Sequence, residues 1–191
     1  MIALDSNILY IASRDCRQAP DYEWCMRRKK LAIEILEFGK MHGCIIPNTV
    51  KEEVKRTIIE EYAPFCKIEK IDKDKNKKFV EKFVNKLVTI ANKDDKFLVT
   101  CTPEAHDKYT RISKAMKGDW RIVAETIVRG ETLISFDKNI YHPYCKAVYR
   151  KVASELGVDA NDWDAFHPRE FLELMKEDYK LKEELKEEVK L

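Results

Sequence analysis

Short apolar runs alternate with long amphipathic segments along this 191-residue chain, and the alternation limits the folds that it can adopt. Apolar runs at 2–5, 43–46 and 132–136 have the length and composition of strands, and 66–71 alternates between apolar and charged residues as a half-buried strand does. The run at 132–136 carries no charge, which is typical of a parallel sheet covered on both faces. Strands that alternate with helices predict an α/β fold with a central parallel sheet.

The segments between these runs carry helical periodicity, with apolar residues on one face. The expected helices cover 7–13, 21–41, 76–92, 119–128 and 145–156, and two more begin near Thr49 and Pro168. Pro103 interrupts 93–118, where we expect only short helices, and 159–165 is expected to be a loop. We therefore expect one domain over 1–175 and a charged helical extension at 176–191.

The tail at 176–191 has a narrow apolar stripe formed by Leu181, Leu185 and Val189. One interpretation is a solvated helix whose stripe packs on the body of the domain. The other is a contact between two copies of the chain, so a homodimer is kept as a possible assembly.

Composition and cysteine spacing limit the cellular compartments in which we expect the protein. No run of about 18 uncharged apolar residues is present, and the first residues carry neither a basic stretch nor a cleavage site. The six cysteines form no C-x-x-C pair, which argues against a zinc site. We therefore expect a cytoplasmic protein with free thiols and no membrane contact. A disulfide between Cys16 and Cys25 is the alternative.

Four acidic residues stand where strands are expected to end or helices to begin: Asp5, Glu53, Asp119 and Asp137. In parallel α/β sheets, ligands bind beyond the carboxyl ends of the strands. Each acid also has a structural alternative. Asp5 and Asp119 have the chemistry of helix N-caps, and Asp137 that of a turn residue.

Glu53 has a neighbouring competitor, Glu52. The pattern Thr49-x-x-Glu52 fits a capping box, which assigns Glu52 a structural role at the helix start. Glu53 instead shares the apolar face of Val50 and Val54, where a carboxylate needs a partner. We therefore expect Glu53 to be the functional acid.

Carboxylates gathered at one site repel one another. Two unit charges about 4 Å apart repel by about 4 kcal/mol at an effective dielectric near 20. One or two Mg²⁺ or Mn²⁺ ions remove this repulsion, and carboxylate oxygens suit these hard ions better than zinc. Such ions bind phosphate oxygens and activate water for hydrolysis.

In their order and spacing, these segments resemble the PIN-domain family. The matching segments are 4–9, 46–54, 119–124, 133–139 and 168–172, which together extend over about 1–172. The first resembles the family's opening motif, in which Asp5 ends strand one and Asn7 supports it. The second resembles a motif whose acid matches Glu53, and the fourth has Ser135 where the family usually has Thr or Ser.

The resemblance implies a three-layer α/β/α sandwich and a Mg²⁺- or Mn²⁺-dependent endoribonuclease acting on single-stranded or structured RNA. It implies that the four acids are catalytic and hold the metal, supported by Asn7, Ser135 and Asn139. The segment 54–118 is longer than compact toxin-like members carry, and the charged tail is additional. The choice between a toxin and an RNA-processing protein is therefore open.

A basic cluster precedes Asp119. Residues 108–121 hold five basic side chains against one acid, an excess of four positive charges. Basic residues beside a metal site can hold the flanking phosphates, whereas the alternative is a solvated face. The expected nucleic-acid contacts are Arg111, Lys114, Lys117, Arg121 and Lys138.

Two other functional classes stay open. A PIN-like scaffold can recruit RNA or protein without cutting it, although the presence of all four acids argues against this. A different α/β metal enzyme, such as a phosphatase or a DNA-directed nuclease, would use the same carboxylates on another phosphate ester.

Overall fold

The computed structural model describes residues 1–68, 74–101 and 114–188, with side chains placed except at 74, 75, 114, 115 and 179–188. Within these residues, five strands form one sheet in which every neighbouring pair is parallel. The strands are β1 (Ile2–Leu4), β2 (Cys44–Ile46), β3 (Cys66–Ile68), β4 (Thr132–Ile134) and β5 (Ala165–Phe166). Their order is β3-β2-β1-β4-β5, so the predicted α/β class with a central parallel sheet is confirmed.

Helices connect and flank the strands. Before β4 they are α1 (Ser6–Ser13), α2 (Tyr22–His42), α3 (Asn48–Glu53), α4 (Arg56–Tyr62), α5 (Asp74–Ala91), α6 (Asp95–Cys101) and α7 (Lys114–Arg129). A 3₁₀ turn at Cys16–Gln18 lies between α1 and α2. After β4 they are α8 (Lys138–Tyr141), α9 (Pro143–Glu155) and α10 (Pro168–Glu188).

The helices pack on one another in two groups. Helix α2 packs on α1 and α10, whereas α5 packs on α7 and α9. Strands β1 and β2 are buried along their whole length, as expected for strands covered on both faces. This arrangement is compatible with the expected α/β/α sandwich.

The core brings together large side chains from several elements. Trp120 of α7, Tyr149 of α9 and Trp163, which precedes β5, are each at most 2% exposed. The Trp163 indole donates a hydrogen bond to the Thr126 hydroxyl at 3.0 Å, which satisfies its buried N–H. The rings of Tyr149 and Trp163 also contact each other, so this part of the core is closely packed.

The prediction of free thiols is wrong. Disulfides join Cys16 to Cys25, Cys44 to Cys66 and Cys101 to Cys145, so the described residues contain no free cysteine. Cys44 and Cys66 face each other in the register of neighbouring strands β2 and β3. The third bridge ties α6 to α9 across 44 positions of the chain.

Several local predictions are also corrected. Asp119 does not begin a helix, because α7 already starts at Lys114. The Thr49–Glu52 capping box is absent, since Pro47 precedes α3 and makes no side-chain capping bond. The segment predicted as a loop ends in β5, and the short helix α8 was not expected.

The C-terminal helix α10 continues from Pro168 through Glu188 without a break at 175. The side chains of Leu181 and Leu185, as well as all of Val189, lie outside the described parts, so the two interpretations of the stripe stay predictions. Among the helices described, none is long and apolar enough to cross a lipid bilayer.

Candidate functional site

The sheet order defines a topological switch point between β1 and β4. From β1 the chain proceeds to β2 and β3 on one side, and β4 and β5 then fill the other side. Asp5 directly follows β1, and its amide donates to the Ile134 carbonyl of β4 at 3.1 Å. Asp137 comes three residues after β4 ends. Both acids therefore stand at the edge where parallel α/β sheets bind ligands.

Asp5 is an almost completely buried carboxylate, 2% exposed, and caps α1. Its Oδ1 accepts the Ser6 amide at 2.6 Å. Its Oδ2 accepts the Ser135 hydroxyl at 2.5 Å and the Asn7 side-chain amide at 2.6 Å. The capping expected from the sequence thus coexists with a network that crosses from β1 to β4.

Burial raises the pKa of Asp5 from 3.8 to about 6. The hydrogen bonds from Ser135 and Ser6 act in the opposite direction, and the charges of Asp137 and Glu53 raise the pKa further. Burial therefore opposes the ionisation of Asp5 at neutral pH, because the charged carboxylate loses its contact with water. Carboxylates with pKa values raised by burial and by neighbouring acids are found most often at functional sites.

Asn7 and Ser135 connect Asp5 to the segment that carries Asp137. The Asn7 carbonyl oxygen accepts the Phe136 amide at 3.1 Å, and its amino group also donates to Ser135 at 3.0 Å. The Ser135 hydroxyl oxygen accepts the Asp137 amide at 2.9 Å. These contacts hold the two strand ends in one fixed geometry.

Glu53 is the last residue of α3 and approaches the site from the opposite side. As a whole it is exposed, but its carboxylate lies against the backbone of α7 at Gly118, where a β-carbon would overlap Oε1. This partial burial raises the pKa of Glu53, whereas a hydrogen bond from Ser6 lowers it. Since the Ser6 hydroxyl also lies 3.3 Å from Asp5 Oδ1, Ser6 stands between the two acids.

The charges of Asp119 and Asp137 both act on the buried phenol of Tyr149. Burial raises the pKa of Tyr149, and the charges of both acids raise it further, Asp119 more than Asp137. Asp137 caps α8 through the Asn139 amide at 3.3 Å. Asn139 is buried, and its backbone carbonyl accepts the Tyr149 hydroxyl at 3.2 Å.

The charge of Asp5 thus interacts with those of Asp137 and Glu53, whereas Asp119 acts with Asp137 on the Tyr149 phenol, and the described residues do not place the four acids in one tight cluster. In the described part of the chain, no three His, Cys, Asp or Glu side chains stand close enough together to hold a metal ion. The donor chemistry nevertheless fits a hard cation, because all four side chains offer carboxylate oxygens. Because the Glu53 carboxylate lies so close to Gly118, position 118 has no room for a side chain.

Sequence reasoning missed Glu125. It is 3% exposed, and its carboxylate accepts the Thr49 hydroxyl at 2.6 Å and the Thr49 amide at 3.2 Å. It therefore caps α3 from 76 positions away and ties that helix to α7. Burial raises the pKa of Glu125, and the bonds from Thr49 oppose this shift. Its partner Thr49 lies on another helix, so no local pattern in the sequence points to Glu125.

The predicted nucleic-acid contacts are only partly described. Arg111 lies outside the described residues, and for Lys114 the structure describes the backbone alone. Lys117 and Arg121 are exposed one turn apart on α7, and Lys138 is exposed at the start of α8.

Comparison of the chain with protein-family models, with curated proteins and with solved structures found no match.

Proposed function

We propose that this protein is a metal-dependent endoribonuclease of the PIN-like kind. The observation that carries the proposal is Asp5, a buried carboxylate with a pKa raised to about 6 at the switch point of a parallel sheet. Its charge is coupled to those of Asp137 and Glu53. Carboxylates perturbed in this way cluster at functional sites, and this supports the assignment.

Asp5, Glu53, Asp119 and Asp137 would have to draw together to hold Mg²⁺ or Mn²⁺, because in the described residues no three acids stand close enough to share an ion. When bound, the ion would neutralise the carboxylates, polarise a phosphodiester and lower the pKa of water. The protein's own residues fix the geometry that this chemistry needs. Ser135 and Asn7 hold one Asp5 oxygen, and the Ser6 amide holds the other, so this side chain cannot rotate away.

Exposed cations on α7 and α8 would hold the RNA backbone beside the acids. Lys117 and Arg121 lie on the helix that also carries Asp119. Lys138 directly follows Asp137. Contacts of this kind go to phosphates and position the substrate without reading its sequence.

The deciding experiment is cleavage of labelled single-stranded RNA, structured RNA and single-stranded DNA with Mn²⁺, Mg²⁺ or EDTA. Wild type is compared with Asp5→Asn and Asp119→Asn, and with Glu173→Gln, which removes an exposed acid elsewhere on α10. We expect metal-dependent RNA cleavage that falls at least 100-fold in the first two variants and is unchanged in the third. Full activity of Asp5→Asn would overturn the assignment.

The same panel separates the competing functions. Cleavage of DNA alone, or hydrolysis of a small phosphate ester alone, would identify another metal-dependent phosphoesterase. RNA binding without cleavage under any metal condition would identify a non-catalytic binding module.

A further inference from the structure

A cleft of about 340 Å³ lies beside the candidate site, between α2, the start of α10 and the segment that follows β4. Its lining is cationic and aromatic, and the residues that matter are Trp24, Arg27, Arg28, Phe136, His167 and Arg169. It contains three arginines and no carboxylate among its lining residues. A pocket of this composition is complementary to an anion that also carries a flat, polarisable group.

Arg28 forms the base of the cleft. Its guanidinium lies 4.6 Å from the ring centre of Trp24 and 4.4 Å from that of Phe136. Contacts with both rings hold the guanidinium plane while its N–H donors stay available. Within the described residues, neither Arg27, Arg28 nor Arg169 forms a salt bridge.

Trp24 provides the flat surface. It is 46% exposed, whereas the other two tryptophans, Trp120 and Trp163, are at most 2% exposed. Large exposed aromatic residues beside unpaired arginines are the features with which proteins hold unpaired bases. An isolated exposed tryptophan would not suggest this, but here it adjoins a cationic cleft.

The pKa of His167 responds to the charges in the cleft. Burial lowers the pKa of His167, and the positive charges of Arg28 and Arg169 lower it further, while Glu170 opposes them. Its ring contacts Phe136 edge-on, with centroids 5.3 Å apart. An anion bound between these arginines would therefore raise the pKa of His167.

The cleft, Asp5 and Asp137 meet at one piece of backbone, the segment 135–137. Phe136 stands between Ser135, which bonds Asp5, and Asp137. Burial lowers the pKa of Arg28, whereas the charges of Tyr141 and Asp137 raise it. A polymer seated at the carboxylates could thus continue directly into the cleft.

We propose that this cleft binds a nucleotide of single-stranded RNA that flanks the scissile phosphate, with its phosphate on Arg27, Arg28 and Arg169 and its base on Trp24. The occupant is an anion because the side chains that would donate hydrogen bonds to it are arginines, and its base is unpaired because a base in a duplex cannot stack on Trp24. The inference rests on the proposed function for its location beside the acids, but binding can be measured without cleavage.

The experiment is a fluorescence titration of the full chain with a ten-nucleotide oligouridylate in EDTA, which prevents metal-dependent cleavage. Because Trp120 and Trp163 are buried, a change in tryptophan emission reports Trp24. We expect RNA to quench the emission and to raise the pKa of His167 measured by NMR. The same RNA in a duplex should bind more weakly and quench little.

Three variants and one matched control locate the binding. Arg27→Gln and Arg169→Gln should each weaken binding at least threefold, and each should reduce the salt dependence by about one released ion. Lys151→Gln removes the same charge from the exposed surface of α9 and should bind as wild type does. Trp24→Ala should abolish quenching, and its affinity, followed by anisotropy of labelled RNA, should fall.

Equal binding by wild type and both arginine variants would overturn the inference, as would an equal loss in Lys151→Gln. Equal affinity for inorganic phosphate and for RNA would remove the role of the base. If RNA does not bind in the cleft but metal-dependent cleavage is intact, the proposed function is retained and this inference is overturned. Binding in the cleft without any cleavage would retain this inference and overturn the nuclease assignment.

Discussion

Gly118 and Glu53 stand in direct contact where α3 meets α7. A β-carbon at position 118 would overlap the Glu53 carboxylate oxygen, so glycine is required for the observed position of that side chain. The contact involves the end of a flexible side chain and not the backbone of α3. The position of an acid of the candidate site therefore depends on the absence of a methyl group on a neighbouring helix.

Gly118→Ala should separate activity from stability. Alanine favours a helix over glycine by about 1 kcal/mol, and Glu53 can rotate away, so thermal stability should be unchanged or slightly higher. Displacing a reacting group by about 1 Å costs about 100-fold in rate. We expect a loss of that order in RNA cleavage, measured beside the melting temperature. In a Glu53→Gln background the same change should have no further effect.

Stability should depend on pH through Asp5. Its pKa rises on folding from 3.8 to about 6, so the folded state binds the proton more tightly than the unfolded state. The resulting stabilisation is complete below pH 3.8 and is lost as the pH rises through about 6. The shift corresponds to about 3 kcal/mol. Urea unfolding of wild type and Asp5→Asn at pH 4 to 7.5 should show this contribution only in wild type.

A divalent cation should stabilise the fold at neutral pH. Binding to the folded state alone adds about 2.7 kcal/mol at a concentration 100 times the dissociation constant. We expect Mn²⁺ to raise the melting temperature of wild type and EDTA to reverse the rise. Asp5→Asn and Asp119→Asn should respond less, and Glu173→Gln should respond fully. An equal response in all four proteins would place the ion elsewhere.

Glu125 should contribute to both stability and site geometry. Replacing it by alanine leaves the Thr49 amide without its carboxylate at the start of α3, which costs about 1 to 3 kcal/mol. Because α3 ends at Glu53, cleavage should also fall. Thr49→Val removes only the hydroxyl bond and should cost less. A double-mutant cycle of the two changes by chemical denaturation would give their coupling, which we expect to be favourable.

The disulfides should differ in their contributions according to the length of chain that each closes. For the Cys101–Cys145 bridge, with its separation of 44, loop closure predicts about 4 kcal/mol. For the Cys16–Cys25 bridge, with its separation of 9, the same relation predicts about 2.6 kcal/mol. Paired Cys→Ser variants, unfolded in urea, should lose stability in this order. Retained stability in the Cys101/Cys145 variant would show that this bridge does not form in solution.

Apolar runs predicted most of the sheet because a parallel strand that is buried on both faces carries a continuous run of apolar residues. The runs at 2–5, 43–46 and 132–136 each match a strand to within two residues. The strand Ala165–Phe166 was missed because two residues carry no periodicity. Its place in the sheet follows from pairing with β4 and not from local preference.

Contacts between distant residues account for the other differences. The start of α3 is capped by Glu125 and not by the nearby Glu52, and a carboxylate 76 positions away leaves no mark on a local pattern. Cysteine pairing likewise requires knowledge of which elements meet. Asp119 lies inside α7 although its chemistry also suits an N-cap, because the helix continues through Gly118, where the absence of a side chain leaves space for Glu53.

The hydrogen bond between Ser135 and Asp5 joins residues that are 130 positions apart. During synthesis, Asp5 is made 130 residues before Ser135, which directly follows β4. A fragment that ends before β4 has an acid without its hydrogen-bond partner and without the neighbouring strand end. Any activity at this edge of the sheet would therefore be withheld until the segment that follows β4 has been synthesised.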